Sequence, residues 1–216
     1  MRVIVTRPRE RSEALATALR DAGFDAVLCP VIEVEEIDDG PVDVGGYDWV
    51  VVTSANGAEQ LARRCVGTLR RVAAVGEATE RALAESGIEA AFVPRDTSQE
   101  GLVAELPRPA GRVLFVGAEG AGTQLRSELG ADVRAVYRIR ELQPAEPPDG
   151  DVVVLASPSA ARAWAKLDRR VPAISIGRRT TAAARAAGID VVGEARTQDV
   201  RGLVDCAAAW RVSSRS

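Results

Sequence analysis

The sequence of 216 residues contains no histidine. This absence excludes imidazole general bases, Ser-His-Asp and Cys-His catalysis and the commonest zinc ligand. Lys166 is the only lysine, so a Schiff-base mechanism would have a single candidate. Cys29, Cys65 and Cys206 are odd in number and far apart, which fits neither a disulfide framework nor a CxxC metal site. The chemistry of this protein therefore does not depend on imidazole or on a cysteine cluster.

A strong charge excess and long apolar runs are missing too. The 28 basic and 31 acidic residues give a net charge of −3, without the basic footprint of a nucleic-acid-binding protein. No apolar run approaches the roughly 18 residues of a membrane span, and the first residues lack the apolar core of a signal peptide. We expect a cytoplasmic protein that binds neither nucleic acid nor membrane. Hydrophobic residues make up 46% of the chain, enough for one large domain or two compact ones.

Short β-branched runs alternate with Ala- and Leu-rich segments of helical length. The predicted strands span residues 3–5, 48–52, 72–75, 113–116, 151–155 and 174–176. The predicted helices span residues 10–22, 58–64, 77–85, 123–129, 160–167 and 180–187. Uninterrupted apolar strands of this kind are typical of parallel sheets that are buried on both faces. The alternation predicts an α/β fold with helices on both faces of parallel sheets.

The second half of the sequence repeats the first. Val-Val-Val-Thr-Ser-Ala-Asn-Gly-Ala at 50–58 reappears as Val-Val-Leu-Ala-Ser-Pro-Ser-Ala-Ala at 153–161. Gly-Leu-Val at 101–103 returns at 202–204, a shift of 101 residues. Duplication of one α/β half explains these matches. Chance likeness among Ala-rich βα units is the alternative.

Two segments alternate apolar and charged residues, as exposed strands do. The segment at 30–37 is acidic and the segment at 133–142 is basic. Paired antiparallel, the two would match acids against bases across the ladder. Each is followed by a turn rich in Pro, Asp and Gly, which indicates a domain boundary. We predict a two-stranded antiparallel connector, formed by residues 31–45 and 131–144, between two α/β lobes.

Short motifs occur along this chain in the order in which one enzyme family carries them. They are Thr-Arg-Pro at 6–8, Pro-x-Ile at 30–32, Thr-Ser-Ala-Asn-Gly-Ala at 53–58, Val-Gly-x-x-Thr at 75–79, Val-Tyr-Arg at 136–138 and Ile-Gly-x-x-Thr at 176–180. The ordered set covers nearly the whole chain and resembles the uroporphyrinogen-III synthase family.

The resemblance implies a particular assembly of the α/β halves. Two flavodoxin-like parallel-sheet lobes are joined by the two-stranded connector, and the chain starts in one lobe, builds the other and returns. Lobe 1 would comprise residues 1–30 plus 145–216, and lobe 2 residues 46–130. The sequence pattern alone does not distinguish this assembly from one in which two complete lobes follow each other along the chain.

The resemblance also implies a reaction. The family is a lyase that closes hydroxymethylbilane into uroporphyrinogen III, with loss of water and inversion of ring D, in haem, sirohaem and cobalamin biosynthesis. It implies no metal, nicotinamide or covalent cofactor, a monomer, and a transient hand-off of the substrate from hydroxymethylbilane synthase. The alternative is a non-catalytic two-lobed anion-binding or regulatory protein, which would need the same anion-binding turns.

The substrate of that family carries carboxylates on every pyrrole, so its candidate ligands are groups that hold anions. Four turns at the ends of predicted strands have small polar residues, where helix N-termini offer backbone N–H groups. The candidate substrate-binding residues are Arg7, Thr53, Ser54, Asn56, Gly76, Thr79, Ser157, Ser159, Gly177 and Thr180. Ser, Thr and Asn are also the preferred helix N-caps, so a purely structural role is open for each. If the lobes oppose their strand ends, all four turns face one interlobe cleft that holds hydroxymethylbilane.

Tyr137 is the candidate catalytic residue. It matches the connector-strand tyrosine of the family, which is thought to help the hydroxyl group depart. A phenol is protonated at neutral pH and can donate its proton to a leaving oxygen. Arg138 points to the opposite face of the strand and is not expected to share this role. An interfacial aromatic without a catalytic role is the alternative for Tyr137.

Overall fold

The structure, a computed structural model, describes residues 1–213. The chain divides into two compact units, the first formed by Met1–Val34 together with the chain from Ile139 onward, the second by Glu35–Arg138. The chain therefore begins in the first unit, builds the second and returns to the first. None of the helices within residues 1–213 combines the length and the apolar character needed to cross a lipid bilayer.

Strands and helices alternate along both units. The strands are β1 (Arg2–Val5), β2 (Asp25–Leu28), β3 (Ile32–Glu36), β4 (Val42–Asp43), β5 (Trp49–Val52), β6 (Cys65–Val66), β7 (Val72–Ala74), β8 (Val113–Ala118), β9 (Asp132–Glu141), β10 (Val152–Leu155), β11 (Ala173–Ser175) and β12 (Val191–Glu194). The helices are α1 (Glu13–Asp21), α2 (Ala55–Arg64), α3 (Glu77–Glu85), α4 (Gln99–Glu105), α5 (Thr123–Leu129), α6 (Pro158–Ala165), α7 (Arg178–Ala186) and α8 (Val200–Ser213). The α/β class with mostly parallel sheets is confirmed.

The first unit is built on a five-stranded sheet with the order β12-β11-β10-β1-β2, all of it parallel. The central strands β1, β10 and β11 are buried on both faces, which is why they are mostly apolar. Val3 packs with α1 and α8 on one face, and Ile4 packs with Trp164 of α6 on the other. From β1 the chain adds β2 on one side of the sheet, and after its return it adds β10, β11 and β12 on the other side. The direction of the connections therefore reverses between β1 and β10. In open α/β sheets this reversal is where ligands bind.

The second unit contains the neighbouring strands β9-β8-β5-β7 of a sheet. The strands β9, β8, β5 and β7 are parallel, and Phe92 extends the sheet through a parallel bridge to Ala73. Trp49, Phe115 and Leu125 belong to the core on one face. Here the connections reverse between β8 and β5, so the polar turns after these two strands occupy the equivalent position.

The charge matching expected between the acidic and the basic segment is confirmed by ion pairs between β3 and β9. In the second unit the Arg138 guanidinium lies 2.8 Å from the Glu35 carboxylate. In the first unit Arg140 pairs with Glu33 in the same way. All four side chains are at least a third exposed, so each pair contributes about 0–1 kcal/mol. The ion pairs therefore add little to the stability of the fold, and their main effect is to favour the pairing of β3 with β9.

Some details of the predicted elements are wrong. The segment 133–142 was expected to have one antiparallel partner, whereas the first half of β9 also pairs in parallel with β8. The predicted helix at 10–22 is divided into a 3-10 turn at Arg9–Arg11 and the helix α1, because the Ser12 hydroxyl donates to backbone carbonyls of the preceding loop. The predictions also omitted β2, β4, β6, β12, α4 and α8.

The repeated Gly-Leu-Val tripeptide opens a helix in each unit. The Gly101 N–H donates to the Ser98 hydroxyl at 3.0 Å, and the Gly202 N–H donates to the Asp199 carboxylate at 2.7 Å. A Cβ at Gly101 would lie 2.0 Å from the carbonyl oxygen of Asp96, and one at Gly202 would meet a backbone carbonyl at 2.2 Å. The glycine is repeated because the same close backbone approach recurs.

We expect Gly101→Ala to lower the free energy of unfolding by about 1–3 kcal/mol, because the added methyl group overlaps a backbone carbonyl. Helix propensity alone would give the opposite sign, a gain of about 1 kcal/mol. Urea denaturation measures the change. The reverse substitution at exposed Ala104 of the same helix, Ala104→Gly, calibrates the propensity effect. A stabilised Gly101→Ala variant would contradict the close approach.

Candidate functional site

Two hydroxyl groups meet at the carboxyl edge of the sheet in the second unit. Ser54 follows β5 and is the N-cap of α2, where its side chain accepts a hydrogen bond from the Gly57 N–H at 3.0 Å. Tyr137 lies on β9 and is only 6% exposed. The Ser54 Oγ and the Tyr137 phenolic oxygen are 2.9 Å apart. The candidate catalytic tyrosine and one candidate binding serine are therefore direct hydrogen-bond partners.

A bulge in β9 brings Tyr137 to this position. Along β8, Gly117 pairs with Ala135 but the next residue, Ala118, pairs with Tyr137, so β9 contains one extra residue, Val136. Successive residues of a strand face opposite sides, and an extra residue moves every later side chain to the other face. The bulge thus places Tyr137 on the face that Ala118 occupies. Sequence alternation did not predict this shift.

The second polar turn of this unit follows β7. Because β7 is the neighbour of β5, with the Val75 N–H donating to the Val52 carbonyl at 3.0 Å, both turns lie at the same edge. Gly76 starts α3, and no side chain within residues 1–213 caps this helix. Thr79 is 4% exposed, so its hydroxyl is buried. At this turn the donors for an anion are therefore backbone N–H groups rather than a side-chain hydroxyl.

Thr53 and Asn56 complete the candidate residues of the second unit. Thr53 lies between β5 and the cap of α2, and Asn56 lies in the first turn of that helix. Both side chains are half-buried. They flank Ser54 and are accessible to a ligand that approaches this edge of the sheet.

The first unit repeats this arrangement without a tyrosine. Ser157 is the N-cap of α6 and accepts from the Ala160 N–H at 3.1 Å, and its Oγ lies 3.1 Å from the Ser159 Oγ. Gly177 starts α7, which has no side-chain cap from the described part of the chain, and Thr180 is 3% exposed. Each unit therefore has a serine-capped helix, α2 or α6, followed along the chain by a helix that starts at a glycine, α3 or α7. Ser54 and Ser157 are thus helix N-caps, the structural role that the sequence left open for them, whereas Ser159 lies within α6.

Two residues beside the glycine starts were missed by the sequence analysis. A Cβ at Gly76 would lie 3.1 Å from the Thr97 side chain, and one at Gly177 would lie 3.2 Å from the Gln198 side chain. These neighbours are themselves 101 residues apart, so the internal repeat could have identified them.

Arg7 lies at the point where the connections of the first unit reverse. It follows β1, which is paired with β10, the strand that leads to Ser157. The Thr6 hydroxyl donates to the Val154 carbonyl at 2.7 Å, and the Ser12 hydroxyl donates to the Arg7 carbonyl at 2.9 Å, so the loop backbone is fixed on both sides.

The Arg7 guanidinium is half-buried and makes no ion pair with any residue of the described chain. Burial lowers the pKa of Arg7, and the nearby positive charge of Arg11 lowers that pKa further. A half-buried cation without an acidic partner is costly for the fold. The same cation is prepared to form a bidentate contact with a carboxylate ligand.

We expect Arg7→Met to leave the free energy of unfolding unchanged or raised, because it removes a half-buried charge that has no acidic partner within residues 1–213. Arg64→Met is the matched control. The Arg64 side chain is 5% exposed and donates to Asp38 at 2.6 Å and to Gln60 at 3.1 Å. Its removal should lower the free energy of unfolding by about 1.5–3 kcal/mol. Equal losses in urea denaturation would show that Arg7 is structural.

Comparison with known proteins assigns the family. The model of the family described as uroporphyrinogen-III synthase HemD matches residues 13–205. A Methanocaldococcus jannaschii protein provisionally named uroporphyrinogen-III synthase is 26% identical over 151 residues, 65% of this chain and 63% of that protein. Uroporphyrinogen-III synthase of Synechococcus elongatus is 27% identical over 172 residues, 71% of this chain and 65% of that protein. The chain thus spans just under two thirds of the length of these relatives.

The fold has a counterpart among solved structures. A crystal structure of a mutant uroporphyrinogen III synthase from the extremely thermophilic bacterium Thermus thermophilus matches with a TM-score of 0.66 over 100% of both chains, at 18% identity. At this identity the match shows the fold alone. Because the family model covers nearly nine tenths of the sequence, this chain belongs to the uroporphyrinogen-III synthase family.

Proposed function

We propose that this protein is a lyase that converts hydroxymethylbilane into uroporphyrinogen III, with loss of water and inversion of ring D, in tetrapyrrole biosynthesis. Family membership supports the reaction class. The observation that carries the assignment to this chain is the hydroxyl pair of Tyr137 and Ser54, 2.9 Å apart at the N-terminus of α2. A proton donor is thereby held beside helix N-termini that can bind carboxylates.

The substrate is a polyanion, and the polar turns supply what such a ligand needs. Each helix N-terminus favours a carboxylate by about 0.3–1 kcal/mol at an exposed site. At Gly76 and Gly177 the helices lack a side-chain cap from residues 1–213, which leaves backbone N–H groups at the start of each helix for this role, with Thr180 contributing its main chain. The Thr79 N–H is already used, because it donates to the Gly76 carbonyl at 3.0 Å. Arg7 adds a positive charge that has no acidic partner in the described chain. We assign the remaining contacts to Thr53, Asn56, Ser157 and Ser159.

In the proposed mechanism Tyr137 donates its proton to the hydroxyl group of the substrate as the carbon–oxygen bond breaks. Water leaves, and the resulting azafulvene closes through a spiro intermediate that inverts ring D. The substrate also cyclises unaided, without inversion, so the main task of the protein is to hold one conformation and exclude the shortcut. No step of this mechanism requires a metal, nicotinamide or covalent cofactor.

The proposal includes the assembly of the family. The two units would be flavodoxin-like lobes joined by a connector of residues 31–45 and 131–144. The strand order of the first unit supports this, since its strands numbered along the chain read 2-1-3-4-5, the flavodoxin order. A monomeric state, a cytoplasmic location and hand-off of the substrate from hydroxymethylbilane synthase stay predictions.

An isomer assay tests the function. The protein is incubated with freshly made hydroxymethylbilane, and the uroporphyrinogen isomers are oxidised and separated. Type III product above a protein-free control supports the enzyme. Type I product alone would support the alternative, a protein that binds the anion without chemistry.

We expect Tyr137→Phe to keep the fold and to lower the rate of type III formation by about 10²–10⁴-fold, the usual contribution of a general acid. Tyr47→Phe is the matched control, because Tyr47 is the other tyrosine of the chain and donates to Asp132 at 2.8 Å in the same unit. It should keep the full rate. Unchanged turnover of Tyr137→Phe would remove Tyr137 from the mechanism.

A further inference from the structure

We propose that Ser54 is a positioning residue for Tyr137: its hydroxyl donates to the phenolic oxygen and so directs the phenolic proton to the leaving hydroxyl group of the substrate. This inference rests on the proposed function and deepens it. It gives Ser54 a role that acts through Tyr137, whereas the sequence analysis gave it a direct contact with a substrate carboxylate.

The hydrogen-bonding capacity of Ser54 supports this direction of donation. A serine hydroxyl has one proton and two lone pairs. The Gly57 N–H, at 3.0 Å, uses one lone pair of the Ser54 Oγ to cap α2. The one proton of Ser54 is then available to the Tyr137 oxygen at 2.9 Å. When Ser54 donates and Tyr137 accepts, the hydrogen bond between them does not use the phenolic proton.

Backbone contacts hold both partners in place. Gly57 is buried, and a Cβ there would lie 3.1 Å from the Val116 carbonyl oxygen, so the first turn of α2 rests directly on β8. On the other side, the Tyr137 carbonyl accepts from the Glu119 N–H at 2.8 Å, next to the bulge in β9. A serine hydroxyl that is fixed by its role as a helix cap orients the phenol group of Tyr137 better than a freely rotating hydroxyl would.

The proton balance of the reaction gives the serine a second task. Tyr137 transfers its proton to the departing hydroxyl, the carbon–oxygen bond breaks, and water and a phenolate result. The Ser54 O–H and the positive end of the α2 dipole both stabilise that negative charge. Closure of the macrocycle later releases one proton from carbon, which returns to the phenolate. The net change is the loss of one water molecule.

Steady-state kinetics separate positioning from substrate binding. We expect Ser54→Ala to lower kcat about tenfold, the value of one hydrogen bond, and to leave KM within about twofold. Ser54→Thr retains a hydroxyl and should restore most of kcat. A raised KM with unchanged kcat would overturn the proposal and assign Ser54 to a substrate carboxylate.

A double-mutant cycle tests whether Ser54 acts through Tyr137. In the Tyr137→Phe background, Ser54→Ala should cause no further loss of kcat, because the group that it positions is already absent. An equal further loss in that background would overturn the proposal. If the wild-type protein forms no type III product, the proposed function itself fails, which is a different result from an active protein that is insensitive to Ser54→Ala.

A third serine, Ser98, provides the experimental control for loss of the helix cap. Ser98 caps α4 in the same unit, accepting from the Gly101 N–H at 3.0 Å, as Ser54 caps α2. Ser98→Ala should lose a similar free energy of unfolding and keep kcat. If Ser54→Ala does not fold, Ser54→Gly provides the same test, because glycine is a tolerated N-cap that lacks the hydroxyl.

Discussion

The architecture of both units depends on one constraint: a helix that follows a parallel strand begins with backbone N–H groups that no residue of the helix can satisfy. Parallel strands end at a common edge, so these groups collect there. The chain treats them in two ways, with a serine hydroxyl before α2 and α6 and with a glycine before α3 and α7. The edge is consequently polar and receptive to anions, although the strands behind it are wholly apolar.

In the proposed mechanism a structural role and a functional role belong to the same atom, the Ser54 oxygen. Capping uses a lone pair of the oxygen and leaves its proton available. In the first unit the oxygen of Ser157 has another serine as its neighbour, whereas in the second unit the oxygen of Ser54 has a tyrosine. The two units thus share the serine cap and differ in the residue beside it, and in the proposed mechanism this difference gives the chemistry to the second unit alone.

The sequence predicted much of the fold because local patterns determine it. Uninterrupted β-branched runs located the central strands, and α3 and α5 have the predicted bounds. The sequence did not predict the parallel pairing of β9 with β8 or the contact of Tyr137 with Ser54, which lie 83 residues apart. The contact depends on the bulge beside Ala118, whereas the pairing is already established along the four residue pairs before it. Period-two alternation shows which faces a strand has, but it does not show which strand lies beside it or where one extra residue reverses those faces.

Arg7 and Arg64 differ in the groups that surround their positive charges, and this difference indicates which of the two stabilises the fold. Arg64 is almost fully buried, yet a carboxylate, an amide and a backbone carbonyl accept its hydrogen bonds, so the fold satisfies it completely. Arg7 is only half-buried, but burial and Arg11 lower its pKa and no acidic side chain of residues 1–213 pairs with it. Folding alone does not explain why a loop held so firmly by Thr6 and Ser12 should present an uncompensated guanidinium. The proposed anionic ligand would explain it, because it would supply the missing negative charge from outside the chain.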